Sequence, residues 1–248
     1  MESRFRWARY LVLDTETTGM DSEQDRIVEV AGTWVTVEPV VRIEPAFDQL
    51  VNPQRPIPAL ASAVHHLTDP DVANAPVWDT VWARMVQPAL EEADVVVAHN
   101  APFDRKFLSD IDLPWLDTLR AARHCFPDAP AHSNQVLRYW LGLTVDAPHP
   151  HRAGDDTAVT AALLVRLLDA VTQRGVSPDA TTTDLLAWVD APLVVERMPF
   201  GKHKGTLITE LPMDYLDWAH DKLTDVDQDL RFSLEQARTA RLSALGAR

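Results

Sequence analysis

One cysteine, Cys125, is all the thiol chemistry that this chain of 248 residues has. A lone thiol cannot close a bridge within the chain, which excludes a disulfide framework and suits a reducing compartment; a cytoplasmic protein is expected. Long apolar runs are missing as well. No stretch approaches the roughly 20 residues that a membrane span requires, so no membrane partner is expected. The N-terminal MESRFRWARYLVLD is basic, but its apolar segment YLVL stops at Asp14. That falls short of the about 7–15 residues of a secretory signal's apolar region. Positive charge is scarce: 23 lysines and arginines face 37 aspartates and glutamates, for a formal net charge of -14. Nucleic-acid binders usually present a basic face, so this balance is a mild argument against one. Acids clustered at one point would weaken that argument by holding cations, which reverse the local field. Internal repeats and low-complexity tracts are absent too.

What is present is ordinary globular composition, 46% hydrophobic and 24% charged, in a chain long enough for one large domain or a medium one with an appendage. RYLVLD, stopped by TTG, reads as a buried strand. RIVEVAGTWVTVEP and VVRIEPAFDQLVNP, rich in valine and isoleucine and ended by prolines, read as two more strands that complete an antiparallel meander. Val77, Trp78, Val81, Trp82 and Met85 have helical spacing, with Pro88 limiting the helix. DVVVA predicts a further strand, APFDRKFLSDI a helix opening, NQVLRYWLGL a helix stopping near Gly142, and DDTAVTAALLVRLLDAV a long helix that is apolar on most faces. The alternation predicts an α/β domain, a mixed sheet flanked by helices, over residues 1–175. VSPDATTTDLLAWVDAP, rich in threonine, aspartate and proline, reads as a linker over 176–192. A small C-terminal α+β domain is expected over 193–248.

Asp14 and Glu16 occupy alternate positions at the end of the first strand, so both carboxylates project from one face. They either cap the turn before Gly19 or await hard divalent cations, which prefer carboxylate oxygens. In HNAPFDRKF, Asn100 reads as a helix N-cap and Pro102 fits the first turn. Asp104 then either answers the helix dipole or brings a third carboxylate to the same corner. HRAGDDTA places Asp155 and Asp156 at the start of the long helix, with His151 at the loop edge, where it can meet water.

In that order, D-x-E, N-A-x-F-D and H-x-A-x-x-D resemble the DnaQ-like 3′→5′ exonucleases, and among them the branch defined by four acids and a histidine. The similarity runs from residue 9 to residue 172. It implies a ribonuclease H-like sheet, with Asp14, Glu16, Asp104 and Asp156 as metal ligands and His151 as general base. It also implies two Mg²⁺ ions per site, for which Mn²⁺ can substitute. The family's spacing selects Asp156 over Asp155, and Thr157 departs from the alanine that is more usual there. Two cations would position the attacking water, lower its pKa and stabilise the leaving oxygen. An all-oxygen site suits magnesium or manganese better than zinc. A histidine, with its ordinary pKa near 6.5, can take the water's proton at neutral pH. Thr17 and Met20 are expected to touch the terminal nucleotide through backbone, hydroxyl or apolar contact, although Met20 reads equally as a core filler. AVHHLTDPDV is similar to the family's histidine-containing segment. His65 or His66 is therefore a cleft candidate, His66 first, while a solvated loop histidine is the preferred reading of either. Glu29 is assigned to structural bonds and left outside the site.

In MPFGKHKGTLITELPMDYLDWA, Gly201 and Gly205 bracket Lys202, His203 and Lys204. This tight turn either offers two ammonium groups to phosphate or forms a solvated hairpin tip. Tyr215 and Trp218, nearly a helical turn apart, read as core of the small domain. F-G-K-x-x-G followed by Y-L-x-W, behind an exonuclease domain, resembles the exodeoxyribonuclease X branch and extends the similarity across nearly the whole chain. The resemblance implies metal-dependent hydrolysis of single- or double-stranded DNA from its 3′ ends, releasing 5′-mononucleotides in DNA repair. The lysine pair itself suggests that Lys202 and Lys204 strengthen duplex binding. The alternatives are a DNA polymerase III epsilon-like proofreading subunit, an RNA-trimming 3′→5′ exoribonuclease and a non-enzymatic DNA-binding adaptor. The tail argues against the first, and five filled catalytic positions argue against the last.

Overall fold

The computed structural model describes residues 4–223 and 226–246, which fall into two compact units, Met1–Val189 and Asp190–Arg248. In the first unit β1 (Tyr10–Thr17), β2 (Ile27–Thr36) and β3 (Arg42–Leu50) form the expected antiparallel meander. β4 (Val95–Ala98) joins the other edge of β1 in parallel, and β5 (Trp115–Asp117) lies parallel beyond it, giving the order β3-β2-β1-β4-β5. Tyr10 to Leu13 are all buried because both faces of β1 are covered. Tyr10 and Val12 belong to one core, with Leu163, Leu164 and Leu167. Leu11 and Leu13 belong to another, with Val81 and Val86. Strand β3 is the outer strand, largely exposed; it therefore tolerates Pro45, opposite Thr33, where the register shifts.

The helices of this unit are α1 (Ala59–His65), α2 (Asp69–Val72), α3 (Trp78–Val81), α4 (Gln87–Leu90), α5 (Ala101–Phe107), α6 (Thr118–Cys125), α7 (Asn134–Trp140), α8 (Ala153–Gln173) and α9 (Thr182–Asp190). A π-helical segment, Trp82–Val86, makes α3 and α4 continuous, so the helix runs past Pro88 rather than ending before it. The wider turn gives the proline ring room where an α-turn would place the carbonyl of the residue four before. No helix among the described residues is long and apolar enough to cross a membrane.

Further local expectations differ from what is found. Residues 176–192, read as a linker, contain α9, whose Leu185 and Val189 are buried in the core beneath the sheet; the first unit thus ends at Val189. Polar residues open α9, and its apolar LLAWV is an unbroken run of five, too short to show a helical period. Asn100 precedes α5 in the left-handed region (φ 72°) without a side-chain cap, while its backbone N–H donates to Asp117. Asparagine tolerates this conformation, which turns the chain sharply out of β4. Finally, β5 and α6 have no counterpart in the sequence reading. β5 is three residues long, too short to show a period, and is set by pairing of Val96–Ala98 with Trp115–Asp117.

The second unit packs α10 (Met213–Lys222) and α11 (Gln228–Gly246) around Met198, Ile208, Leu211, Leu216, Leu230 and Leu234. Among the described residues its β structure is a single antiparallel bridge, Arg197 with Leu207, below the glycine-bounded turn. Gly201 (φ 73°) and Gly205 (φ 83°) take the left-handed conformations that close this turn. Tyr215 packs partly against the core, whereas Trp218 is 48% exposed, contrary to its reading as core. Leu216 and Ala219 face inward, so the helical period turns Trp218 out.

Candidate active site

β1 and β4 pair only as far as Val12 and Val97. Beyond that point they diverge, and the crevice at their carboxyl ends is where a parallel pair offers a ligand site. Four carboxylates reach it from three elements. Asp14 and Glu16 come from the end of β1, Asp104 from the first turn of α5, and Asp156 from the first turn of α8. The parting of the strands leaves the Thr15 N–H without a sheet partner, and Asp104 takes it. Its Oδ1 accepts from Thr15 N at 3.0 Å and from Thr15 Oγ1 at 2.8 Å.

The carboxylates repel one another. Burial holds the Asp14 carboxyl well above its usual range, and Asp104, Glu16, Asp156 and Glu29 push it further. Glu16 is pushed up to about 8 by burial and then by Asp156, Glu29 and Asp104, with Arg152 opposing. Asp104, 3% exposed, is raised to about 7 by burial against the pull of its Thr15 hydrogen bonds. Asp156 is also raised by burial, against the His151 backbone N–H that it accepts at 2.9 Å. His151 stands exposed in the left-handed region (φ 62°). Glu16, His151 and Asp156 each offer a ligand atom, and these atoms lie within 4.8 Å of one another.

Asp155 is otherwise engaged: its Oδ2 accepts from the backbone N–H of His149 at 2.6 Å, while Asp156 faces the crevice. The unusual Thr157 is buried and satisfied. It donates to the Gly154 carbonyl at 2.8 Å and meets the Thr33 hydroxyl of β2 at 3.0 Å. Gln135 of α7 reaches Asp156 Oδ1 at 3.4 Å, a contact that the sequence did not reveal.

Glu29 is closer to the site than expected. It lies directly opposite Glu16 in the β1–β2 register, so the two side chains share a face. Like charges in that position destabilise a sheet. Arg152 offsets the charge, donating through Nε at 3.0 and 3.1 Å and through Nη2 at 2.5 Å to a carboxylate that is 1% exposed. The same carboxylate accepts the Ala153 backbone N–H at 3.0 Å, so Glu29 caps α8 from a neighbouring strand. It thereby anchors the turn that carries His151 and Asp156.

The expected substrate contacts are more scattered. The Thr17 hydroxyl donates to the Gly19 carbonyl at 2.6 Å, so its proton is engaged within the strand-end turn. Met20 is 75% exposed beside this turn, and hence no core filler. His66 is exposed in a left-handed conformation that ends α1. The buried histidine is His65, whose Nδ1 accepts the Leu67 N–H at 3.0 Å and whose ring faces the Thr17 carbonyl; burial lowers its pKa. Lys202 and Lys204 belong to the second unit and are exposed.

The profile of the exonuclease family matches residues 11–164, and a second profile, named for a quorum-sensing-regulated virulence factor, matches residues 191–223. Exodeoxyribonuclease 10 of Escherichia coli K12 is 31% identical over 231 residues, 90% of this chain and 96% of that protein. A DNA polymerase III subunit epsilon-like protein of Rhodobacter capsulatus is 41% identical over 177 residues; the match covers 68% of this chain but 25% of that longer protein. Exonuclease X, solved in complex with 5′-overhanging duplex DNA, superposes with a TM-score of 0.58 at 32% identity, covering 73% of this chain and 99% of that one. The exonuclease family depends on divalent metal, and a corner of mutually repelling carboxylates beside a histidine fits such an ion. A profile spanning most of the first unit, over a sheet whose parted strands gather these acids, makes the chain a member of the exonuclease family, a 3′→5′ phosphodiester hydrolase.

Proposed function

We propose that the protein removes 5′-mononucleotides from the 3′ ends of single- or double-stranded DNA, using two Mg²⁺ ions. One observation carries this reading: four carboxylates from β1, α5 and α8 gather at the mouth of the crevice beside an exposed histidine, where burial and the neighbouring acids raise Asp14 and Glu16. Such a cluster is unstable unless cations share it. In this reading Asp14, Glu16, Asp104 and Asp156 supply the oxygen ligands that suit magnesium, with manganese able to replace it. Bound there, the cations would orient the attacking water, lower its pKa and stabilise the leaving 3′ oxygen. Thr15 fixes one oxygen of Asp104, and the His151 N–H fixes one of Asp156. His151 takes the proton of the water, a contribution typically worth about 10²–10⁴ in rate. Met20, projecting beside the strand-end turn, meets the terminal nucleotide, and exposed His66 is available to the strand from α1. A reducing compartment such as the cytoplasm suits the lone Cys125, which is buried.

End-labelled single-stranded DNA, duplex DNA and RNA, each with Mg²⁺ and with chelator, test the proposal together. Expected is stepwise loss from the 3′ end of DNA that stops on chelation. Loss from the 5′ end, internal cuts, cleavage that survives chelation or faster trimming of RNA would overturn it. The likeness to an epsilon-like polymerase III protein favours one second reading, a proofreading subunit. Stable co-elution with a replicative polymerase subunit would select it.

A further inference from the structure

The second unit carries a surface that hydrolysis at the carboxylate corner does not use. Three rings follow one another there. His203, in the glycine-bounded turn, meets Tyr215 edge-on with centroids 4.4 Å apart, and Tyr215 meets Trp218 at 5.4 Å and 33°. The row ends in the half-exposed Trp218. Lys202 and Lys204 flank His203, both exposed and neither in a salt bridge among the described residues. Arg197 is exposed below the turn and holds it by donating to the Gly205 carbonyl at 2.8 Å.

The turn is built to present these groups. Met198 N donates to Thr206 O at 3.0 Å and Gly205 N to Met198 O at 2.8 Å, closing the loop that projects residues 201–204. Lys202 and Lys204 make no salt bridge on this loop among the described residues, and the indole lies outside the core that Leu216 and Ala219 help fill, touching it through Tyr215. An aromatic face next to paired cations is what an unpaired nucleic-acid strand requires: bases stack on the rings and phosphates meet the ammonium groups.

We propose that the second unit is a binding site for single-stranded DNA, with a base stacked on Trp218 and backbone phosphates at Lys202 and Lys204. Asp214 and Asp221 lie one turn to either side of Trp218 on α10 and oppose phosphate there, with Lys222 beside them; this directs the backbone to the lysine turn and leaves the base to the indole. The choice of DNA rests on the proposed function, whereas the stacking surface does not.

The test is fluorescence anisotropy of a labelled oligothymidylate with the full chain and metal chelated, so that no strand is consumed. Trp218→Ala should weaken binding about fivefold to a hundredfold, the range for loss of one stacked base, and Trp218→Phe by less. Lys202→Ala with Lys204→Ala should reduce the slope of log affinity against log salt by about 1.4, about 0.7 for each phosphate contact on a single strand. Wild-type affinity in Trp218→Ala would overturn the proposal, as would an equal loss on blunt duplex, which would leave phosphate contact alone. Tighter binding of oligouridylate would also overturn it in favour of RNA. Should Trp218→Ala melt early, Trp218→Phe and the lysine pair decide by the same criteria. A chain that degrades DNA yet shows no dependence on Trp218 defeats only this proposal; one that binds through Trp218 but degrades nothing defeats only the proposed function.

Discussion

At the scale of single residues, the site stores repulsion. The unfolded chain's carboxyls titrate near 4, whereas folding pushes Glu16 up to about 8 and Asp104 to about 7. Between those limits the native state binds more protons than the unfolded one, so stability falls as pH rises. The metal-free protein should therefore show a lower urea midpoint at pH 8 than at pH 5. Millimolar Mg²⁺ should raise the pH 8 midpoint, because a ligand of the native state stabilises it by mass action. A midpoint that rises with pH in chelator would show that the corner is not strained in this way. Asp14→Ala removes a member of the cluster that packs little. We expect it to abolish hydrolysis while the metal-free melting temperature stays level or increases; normal turnover would remove Asp14 from the site. His151→Ala should leave a slow enzyme that still binds metal, and calorimetry showing lost metal binding would make His151 a ligand instead, as its 4.8 Å grouping with Glu16 and Asp156 permits.

At the scale of elements, the site is held by contacts between strands and helix starts. The meander places Glu29 opposite Glu16, and Arg152 turns that juxtaposition into a clamp on the first turn of α8. Breaking one partner of such a pair leaves the other uncompensated. Glu29→Gln keeps an acceptor for Ala153 N–H but loses the charge facing Arg152. Its expected cost is about 1.5–3 kcal/mol in urea unfolding, the range for hydrogen bonds to charged groups. Since α8 carries Asp156 and precedes it with His151, kcat should fall more than KM rises. Full activity in a folded Glu29→Gln variant would show that the clamp serves stability alone. The sequence marks Glu29 only as an acid inside an apolar strand; its partner, 123 positions away, appears once the strand register is known.

At the scale of the whole molecule, the boundary between units is testable. A chain cut after Val189 keeps α9 and should unfold cooperatively; one cut after Gly175 exposes the core face that Leu185 and Val189 cover. Burying a leucine or valine is typically worth about 1.5–3 kcal/mol each. The shorter chain should therefore melt several degrees lower, and equal melting temperatures would restore 176–192 as a linker. The formal charge of -14 belongs to the same scale. It is a poor guide to nucleic-acid contact, because the contacts proposed here depend on a cation-seeking corner and a local lysine turn.

The sequence by itself determined the meander, the long apolar helix, the division into a large and a small part, and the four acids with their histidine. Each of these is written in short-range signals: an apolar run, a period, a glycine stop or a fixed spacing. Tertiary structure decided where those signals meet. It alone parted β1 from β4 to open the crevice, inserted the three-residue β5, buried α9, coupled Glu29 to Arg152 and turned Trp218 outward. The reason is physical: pairing register, burial and the field of neighbouring charges depend on residues far apart in the chain, and no local pattern contains them.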